Sequence, residues 1–146
     1  MNAPDRPLIR AGFFLILLAM LTGLLIPAVP NPRMALAAHV GGAMAGLTLI
    51  VVGLAWPHIA RSAGVGRVTR YLLLFAAYGN WLAGVLAAAF GTNRLTPLNG
   101  GPGAPLAWQE TVVAGLQVSQ ALAILVALSL AVYELRPAQR GASLAR

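Results

Sequence analysis

The chain has 146 residues, of which 59% are hydrophobic and 9% are charged, and its mean hydropathy is +0.79. A composition this apolar excludes an ordinary water-soluble domain. All ten basic residues are arginines, and they lie outside the long apolar stretches, which argues against a nucleic-acid-binding surface despite the net charge of +7. The absence of cysteine excludes disulfides, iron–sulfur clusters and thiolate catalysis.

Four apolar stretches without a charged residue follow one another, with lengths of 19, 23, 20 and 23 residues. They are Ala11–Val29, Met34–Trp56, Tyr71–Phe90 and Thr111–Tyr133. About 20 residues of α-helix cross the hydrocarbon core of a bilayer, and a backbone in lipid has to satisfy its polar groups internally. The sequence therefore predicts an all-α integral membrane protein, a bundle of four transmembrane helices that forms a single domain over residues 1–146.

The predicted transmembrane helices have approximate bounds set by charge and proline. They are expected at about residues 8–29, 33–56, 68–90 and 109–134. The first stretch follows two arginines, as a signal peptide would, but it is longer than a typical signal-peptide core and prolines crowd the place where cleavage would fall. We therefore expect it to be retained. The longest connection, 91–108, is rich in glycine and proline and is predicted to be a turn-rich outer loop.

The arginines are distributed unevenly over the two ends of the predicted bundle. Eight flank one end: Arg6, Arg10, Arg61, Arg67, Arg70, Arg136, Arg140 and Arg146. Two, Arg33 and Arg94, flank the other end. The positive-inside rule then predicts cytoplasmic N- and C-termini in a multi-pass protein of the cell inner membrane. The arginines are expected to contact membrane lipid headgroups and no nucleic acid.

Polar side chains inside the predicted helices are concentrated in the outer half of the bundle. They are His39 in helix 2, Asn80 in helix 3, and Gln109, Glu110, Gln117 and Gln120 in helix 4. Such groups are rare and expensive in a membrane, so each is a functional candidate. The alternative for any single one is a hydrogen bond between helices, worth about 0.6 kcal/mol. Their concentration in one half predicts a site below the 91–108 loop.

His39 lies beside a ridge of small residues, Ala38, Gly42 and Gly46. Such a ridge suits close helix packing or a planar macrocycle beside an axial ligand. The other histidine, His58, is about 28 Å away along a helix, so the two cannot share one metal. Zinc needs three or four ligands, whereas haem iron needs only one from the protein. A metal at His39 is therefore expected to be a five-coordinate haem. The alternative is a histidine that only hydrogen-bonds a neighbouring helix.

Two segments carry a resemblance to a known family. They are "NPRMALAAHVGGAMAG" at 31–46 and "YGNWLAGVLAAAFGT" at 78–92, followed by "LTP" at 95–97 and "QE" at 109–110. The chain closely resembles hydroxylaminobenzene mutase and its small membrane relatives, and is more distantly similar to styrene oxide isomerase. The resemblance implies a homotrimeric membrane enzyme with haem b near the subunit interfaces. It makes His39 the axial iron ligand, and the expected haem-binding residues are His39, Gly42, Gly46 and Trp81.

The resemblance also implies a chemistry, because both families rearrange a substrate with no net redox change. We expect Lewis-acid catalysis by haem on a small aromatic substrate that enters from the lipid. Asn80 is expected to orient the substrate oxygen, and Tyr78 or Trp81 to stabilise a developing cation through its π face. Glu110 is expected to handle the proton. The first hypothesis is conversion of an arylhydroxylamine to an aminophenol, and the alternative is isomerisation of an epoxide to an aldehyde.

The chain departs from the resemblance at three positions that bear on the substrate. Gly41 and Ala45 stand where mutase members commonly carry glutamate and asparagine, and Gly84 stands where the epoxide isomerases carry tyrosine. Two hypotheses of other classes stay open on the sequence alone. One is a channel or carrier for small apolar amines or alcohols, and the other is a non-catalytic oligomeric membrane subunit that assembles through its glycine ridge.

Overall fold

The computed structural model describes residues 3–60, 62–101 and 103–136. Four helices follow in chain order: α1 (Arg6–Leu24), α2 (Pro32–Ile59), α3 (Ala63–Phe90) and α4 (Ala107–Glu134). Each is long and apolar enough to cross a membrane, and these described ranges contain no strand. The prediction of an all-α fold with four helices long and apolar enough to span a membrane is confirmed. The orientation of the termini stays a prediction, and Arg61, Arg140 and Arg146 lie outside the described residues.

The helix ends follow local capping chemistry. The carboxylate of Asp5 accepts the N–H of Leu8 at 2.9 Å and so caps α1, and the side chain of Asn31 caps α2 in the same way. α1 ends at Leu24, several residues before its predicted end. Pro27 has no N–H to continue the helical ladder, and the chain forms a short 3-10 turn over Ile26–Ala28 instead.

Glycines bring α1 and α2 into close contact. A Cβ atom on Gly12 would lie 2.5 Å from the backbone oxygen of Gly46, and one on Gly46 would lie 2.7 Å from the backbone oxygen of Gly12. Only glycine permits backbones to approach this closely. α2 also packs against α3, and α3 against α4, whereas α2 and α4 barely touch. A groove floored by α3 therefore runs between α2 and α4.

Large apolar side chains divide between a buried core and the outer surface. Leu8, Leu15, Leu49 and Leu73 are almost fully buried at the centre of the main cluster. Thirty large apolar side chains in the described part of the chain, by contrast, are exposed. In water such a surface would aggregate, but lipid tails are as apolar as these side chains. The exposed apolar surface is therefore the surface expected of a protein in a bilayer.

The three acidic residues of the chain all lie at helix ends. Asp5 caps α1 and pairs with Arg70 of α3, with 3.2 Å between the nitrogen and the carboxylate oxygen. Glu134, at the end of α4, accepts the backbone N–H of Ser62 at 3.2 Å. Glu110 lies at the opposite end of the bundle, in the first turn of α4. The carboxylates thus join neighbouring segments where the helices leave the apolar region.

Candidate active site

Three side-chain amides line the outer part of the groove between α2 and α4. Asn80 comes from α3, and Gln117 and Gln120 come from successive turns of α4. The loop residues Thr96 and Asn99 line the end nearest the 91–108 loop. We call this cavity, of about 430 Å³, the outer chamber. Three of the polar side chains that the sequence places below the outer loop thus line one cavity.

The groove continues toward the other end of the bundle as a second cavity. This inner chamber has a volume of about 380 Å³ and shares Asn80 and Gln120 with the outer chamber. Its walls are otherwise mainly apolar and include Met44, Ala45, Leu49, Leu73, Ile124 and Leu128. Among the described residues, no charged side chain lines either chamber. The two chambers together offer a polar end, a shared segment at Asn80 and Gln120, and an apolar end.

The three amides are half-buried and make no side-chain hydrogen bond with any described residue. An amide held in an apolar environment without a partner costs about 1–3 kcal/mol. Asn80, Gln117 and Gln120 together therefore present unused donors and acceptors to whatever occupies the groove. That pattern is typical of a binding site for an uncharged ligand with a polar group, and not of interhelical hydrogen bonding.

His39 is held by α1. Its Nδ1 lies 2.8 Å from the backbone oxygen of Ala19, and because a carbonyl only accepts, Nδ1 carries the proton. A neutral imidazole in this tautomer has its lone pair on Nε2, which makes no hydrogen bond with the described residues. Histidines that bind metals commonly have this arrangement, with one nitrogen donating to a carbonyl and the other free.

His39 and the amides do not share a cavity within one chain. His39 is turned toward α1 and lines neither chamber. Gly42 and Gly46 also face neighbouring helices. A Cβ atom on Gly42 would lie 2.7 Å from Trp81, and one on Gly46 would lie 2.6 Å from Ile16. The glycine ridge is thus used for helix packing, and it offers no open face to a macrocycle.

The two aromatic residues beside Asn80 in sequence also bind α1. The hydroxyl of Tyr78 donates to the backbone oxygen of Ala11 at 2.8 Å, and Nε1 of Trp81 donates to Oγ1 of Thr22 at 3.0 Å. Two residues along a helix correspond to a rotation of about 200°, so Tyr78 is turned away from Asn80. Both aromatics lie outside the two chambers and hold α1 against α3.

Glu110 binds the start of the outer loop. One carboxylate oxygen accepts the N–H of Asn93 at 3.0 Å, and the other accepts the N–H of Arg94 at 3.2 Å. Glu110 lines neither chamber. The geometry therefore gives this residue a structural contact, while its predicted role with a proton stays a prediction.

Two polar residues of the site were not anticipated from the sequence. Asn99 and Thr96 lie in the loop and line the outer chamber. Asn99 is held there by Asn31, whose Nδ2 donates to the Asn99 backbone oxygen at 2.8 Å. Asn31 itself is 1% exposed, and its N–H donates to the backbone oxygen of Ala88. The available signal was a cluster of asparagines in the Gly/Pro-rich segments, which local sequence rules attribute to turns.

A metal at this site would rely on few protein ligands. Among the described residues, no group of three or more His, Cys, Asp or Glu side chains is placed to hold a metal ion. Haem iron needs only one ligand from the protein, and the Nε2 of His39 would supply it. Exposed Leu36 and Val40 lie beside His39 on α2 and supply apolar surface of the kind a macrocycle contacts.

Comparison with known proteins decides the family. The sequence model described as styrene oxide isomerase matches residues 4–136. The chain belongs to the styrene oxide isomerase family. Family membership makes it a membrane isomerase and favours an enzyme over the channel and the non-catalytic subunit.

Two curated relatives are mutases from Ectopseudomonas oleovorans. Hydroxylaminobenzene mutase HabB is 36% identical over 138 residues, which cover 92% of this chain and 84% of that protein. Hydroxylaminobenzene mutase HabA is 38% identical over 113 residues, which cover 77% of this chain and 84% of that protein. No solved structure matches the chain. The resemblance predicted from the sequence motifs is therefore confirmed.

Proposed function

We propose that this isomerase converts a small arylhydroxylamine to an aminophenol, with the groove between α2 and α4 as the substrate site. The observation that carries the proposal is the set of unpartnered amides of Asn80, Gln117 and Gln120 in a groove without charged walls. An arylhydroxylamine is uncharged, has an apolar ring, and carries an N–OH group that both donates and accepts. The two mutase relatives favour this substrate over an epoxide.

Asn80 and the two glutamines bind different parts of the N–OH group. Asn80 lies where the two chambers meet, so its NH₂ group donates to the oxygen of the N–OH group while the ring lies in the apolar part. Gln117 and Gln120 bind the remaining donor and acceptor of that group. The substrate enters sideways from the lipid, because the groove opens between two helices and exposed Met44 and Val118 line it.

His39 would hold haem b. Its Nδ1–H bond to Ala19 fixes the tautomer and leaves Nε2 for the iron. A haem held there would supply Lewis-acid chemistry. Gly42 and Gly46 do not contribute to that site, because neighbouring helices already cover them.

The separation of His39 from the amides has a consequence for assembly. Within one chain the imidazole faces α1 and the amides face the groove on the other side of α2. Both act on one substrate only where His39 of one copy faces the groove of a neighbouring copy. We therefore propose a homo-oligomer in which each site lies between two copies, and the family resemblance implies a trimer.

The histidine is tested by absorption spectroscopy on the purified protein. We expect a Soret band in the wild type, its loss in His39→Ala together with turnover of hydroxylaminobenzene, and partial recovery of both with added imidazole. His58→Ala is the matched control, because His58 is exposed near the end of α2 and is expected to keep the band. A wild-type protein without bound haem, or a His39→Ala protein that keeps it, would refute the proposed cofactor site.

The site between copies is tested by mixing two inactive variants. Co-expressed His39→Ala and Asn80→Ala chains are expected to recover about a quarter of the wild-type sites, because only one pairing in four combines both intact residues. Each variant alone is expected to stay inactive. No recovery in co-purified mixed oligomers would show that both residues must come from the same chain.

A second candidate reaction is the isomerisation of an epoxide to an aldehyde, which the description of the matching family favours. An epoxide oxygen accepts hydrogen bonds but has no hydrogen to donate. If this is the reaction, styrene oxide is turned over faster than hydroxylaminobenzene by the same preparation. Replacement of Gln117 or Gln120 by leucine would then reduce the turnover of styrene oxide less than that of hydroxylaminobenzene. An epoxide donates no hydrogen bond, so it does not use one of the acceptors that the amides offer.

A further inference from the structure

We propose that the inner chamber selects substrates with an apolar substituent opposite the reacting polar group. This inference rests on the proposed function only in placing the reacting group at Asn80. Its evidence comes from the volume, the polarity and the length of a cavity that a single aromatic ring does not fill.

The volume of the inner chamber exceeds what one ring needs. A dry apolar cavity of about 150 Å³ suffices to bind benzene, whereas the inner chamber has about 380 Å³. An unsubstituted ring placed beside Asn80 would leave more than half of this space unoccupied. Because the groove opens to the bilayer, lipid occupies whatever part of the chamber a small ligand leaves. The chamber is therefore large enough for an aromatic ring with an apolar substituent, whose contacts with the walls replace those of lipid.

The polarity of the chamber is confined to one end. Asn80 and Gln120 lie where the inner chamber meets the outer one. The only other polar side chain of the inner wall is Thr48, whose hydroxyl already donates to the backbone oxygen of Met44 at 2.9 Å. The part of the ligand that extends past the amides therefore meets apolar or satisfied groups, so it is itself apolar and uncharged.

The length of the chamber favours an elongated ligand. Asn80 and Leu73 line its two ends on α3 and are about 10 Å apart along the helix axis. On α4, Gln120 and Leu128 span about 12 Å. A ring with its polar group at Asn80 therefore directs a substituent at its opposite side toward Leu73 and Leu128.

A small residue keeps the chamber open on the α2 side. Ala45 is half-buried and lines the wall, so a leucine there would occupy space that a substituent needs. Lipid is as apolar as the chamber, so a substituent gains little by leaving the bilayer. The chamber therefore selects ligands by their shape, and a narrower chamber lowers the affinity for a long ligand far more than the affinity for a short one.

The test uses two unreactive probes, benzyl alcohol and 4-n-butylbenzyl alcohol. Each is titrated into the full-length protein in nanodiscs, and its binding is measured by calorimetry. The heat measured with empty nanodiscs is subtracted. The wild type is expected to bind the butyl compound at least as tightly as the parent. Ala45→Leu is expected to lower the affinity for the butyl compound about tenfold or more, which is a typical penalty for overpacking. The affinity for benzyl alcohol is expected to change by no more than about twofold. Ala89→Leu adds the same atoms at an exposed position of α3 outside both chambers and is expected to change neither affinity.

A second variant tests the opposite wall. Ile124→Ala enlarges the chamber from α4 and is expected to improve the affinity for 4-n-hexylbenzyl alcohol relative to the butyl compound. This variant keeps the test decisive if Ala45→Leu does not fold. The proposal would be overturned if the wild-type protein did not bind the butyl compound. It would also be overturned if the variants changed the affinities for all probes equally. In that case a lipid acyl chain or another copy of the chain fills the chamber.

The outcome is separable from that of the proposed reaction, because the probes report binding alone. Length selection without turnover of hydroxylaminobenzene would refute the reaction and leave the chamber assignment intact. Turnover without length selection would refute the chamber assignment and leave the reaction intact.

Discussion

The position of the His39 imidazole depends on Gly23 of the neighbouring helix α1. A Cβ atom at Gly23 would lie 2.7 Å from Nδ1 of His39, closer than a Cβ atom comes to a neighbouring side chain, so the ring fits against α1 only because Gly23 has no side chain. The same nitrogen of the ring makes the 2.8 Å bond to Ala19. Gly23 is therefore a positioning residue for the free nitrogen.

Gly23→Ala is expected to displace the ring and to break its bond to Ala19. Loss of such an outer partner typically lowers metal affinity about 10- to 100-fold. If His39 holds haem as proposed, haem affinity should therefore fall within that range in a spectroscopic titration. Gly115→Ala is the matched control, because nothing lies within 4 Å of a Cβ atom there. Equal haem affinity in the two variants would mean that the ring needs no support from α1.

Glu110 is the residue for which sequence and structure suggest different roles. Both of its carboxylate oxygens accept loop N–H groups, from Asn93 and Arg94. Glu110→Gln replaces one acceptor by a donor and is expected to accelerate hydrogen exchange of one of these two amides about tenfold, a loss of about 1.4 kcal/mol. Thr111→Val, a neighbouring exposed substitution, is expected to leave both amides unchanged. Unaltered exchange with lost turnover would instead favour the proton role.

At the scale of helices, the glycine ridge of α2 decides how α1 is held. Gly46 meets Gly12 and Ile16 at distances that leave no room for a side chain. Gly46→Leu is therefore expected to separate α1 from α2 and to destabilise the bundle by about 3 kcal/mol or more.

The measurement is thermal unfolding of the haem-free protein in detergent, followed by circular dichroism. Gly115→Leu serves as the control, because position 115 is exposed and leucine is favourable in lipid. A Gly46→Leu protein that is as stable as the control but unable to take up haem would revive the interpretation of the ridge as a haem surface.

For the whole molecule, the arginine distribution gives a prediction that is independent of the chemistry. Eight arginines at one end and two at the other predict cytoplasmic termini in the inner membrane. A reporter fused after residue 146, or inserted in the connection between α2 and α3, is expected to report the cytoplasm. One inserted within 91–108 is expected to report the outer side. Reversed signals would place the outer chamber at the cytoplasmic face.

The sequence by itself determined the four spanning helices. A run of about 20 residues without charge is a local property, and a bilayer allows such a run little choice but a helix. The exact helix ends were harder to predict from the sequence, because they depend on caps such as Asn31 and on how far the helix continues past a proline. The sequence also singled out Asn80, Gln117 and Gln120 as costly in lipid, and these three do line one groove.

The tertiary structure decided which side chains share a cavity. The rotation of each helix about its axis depends on all the packing contacts it makes, and no short segment contains that information. The close approach of Gly12 and Gly46 turns His39 toward α1, while the bonds from Tyr78 and Trp81 to α1 turn Asn80 into the groove. Residues adjacent in sequence therefore face different surroundings, because a helix rotates by about 100° at every residue.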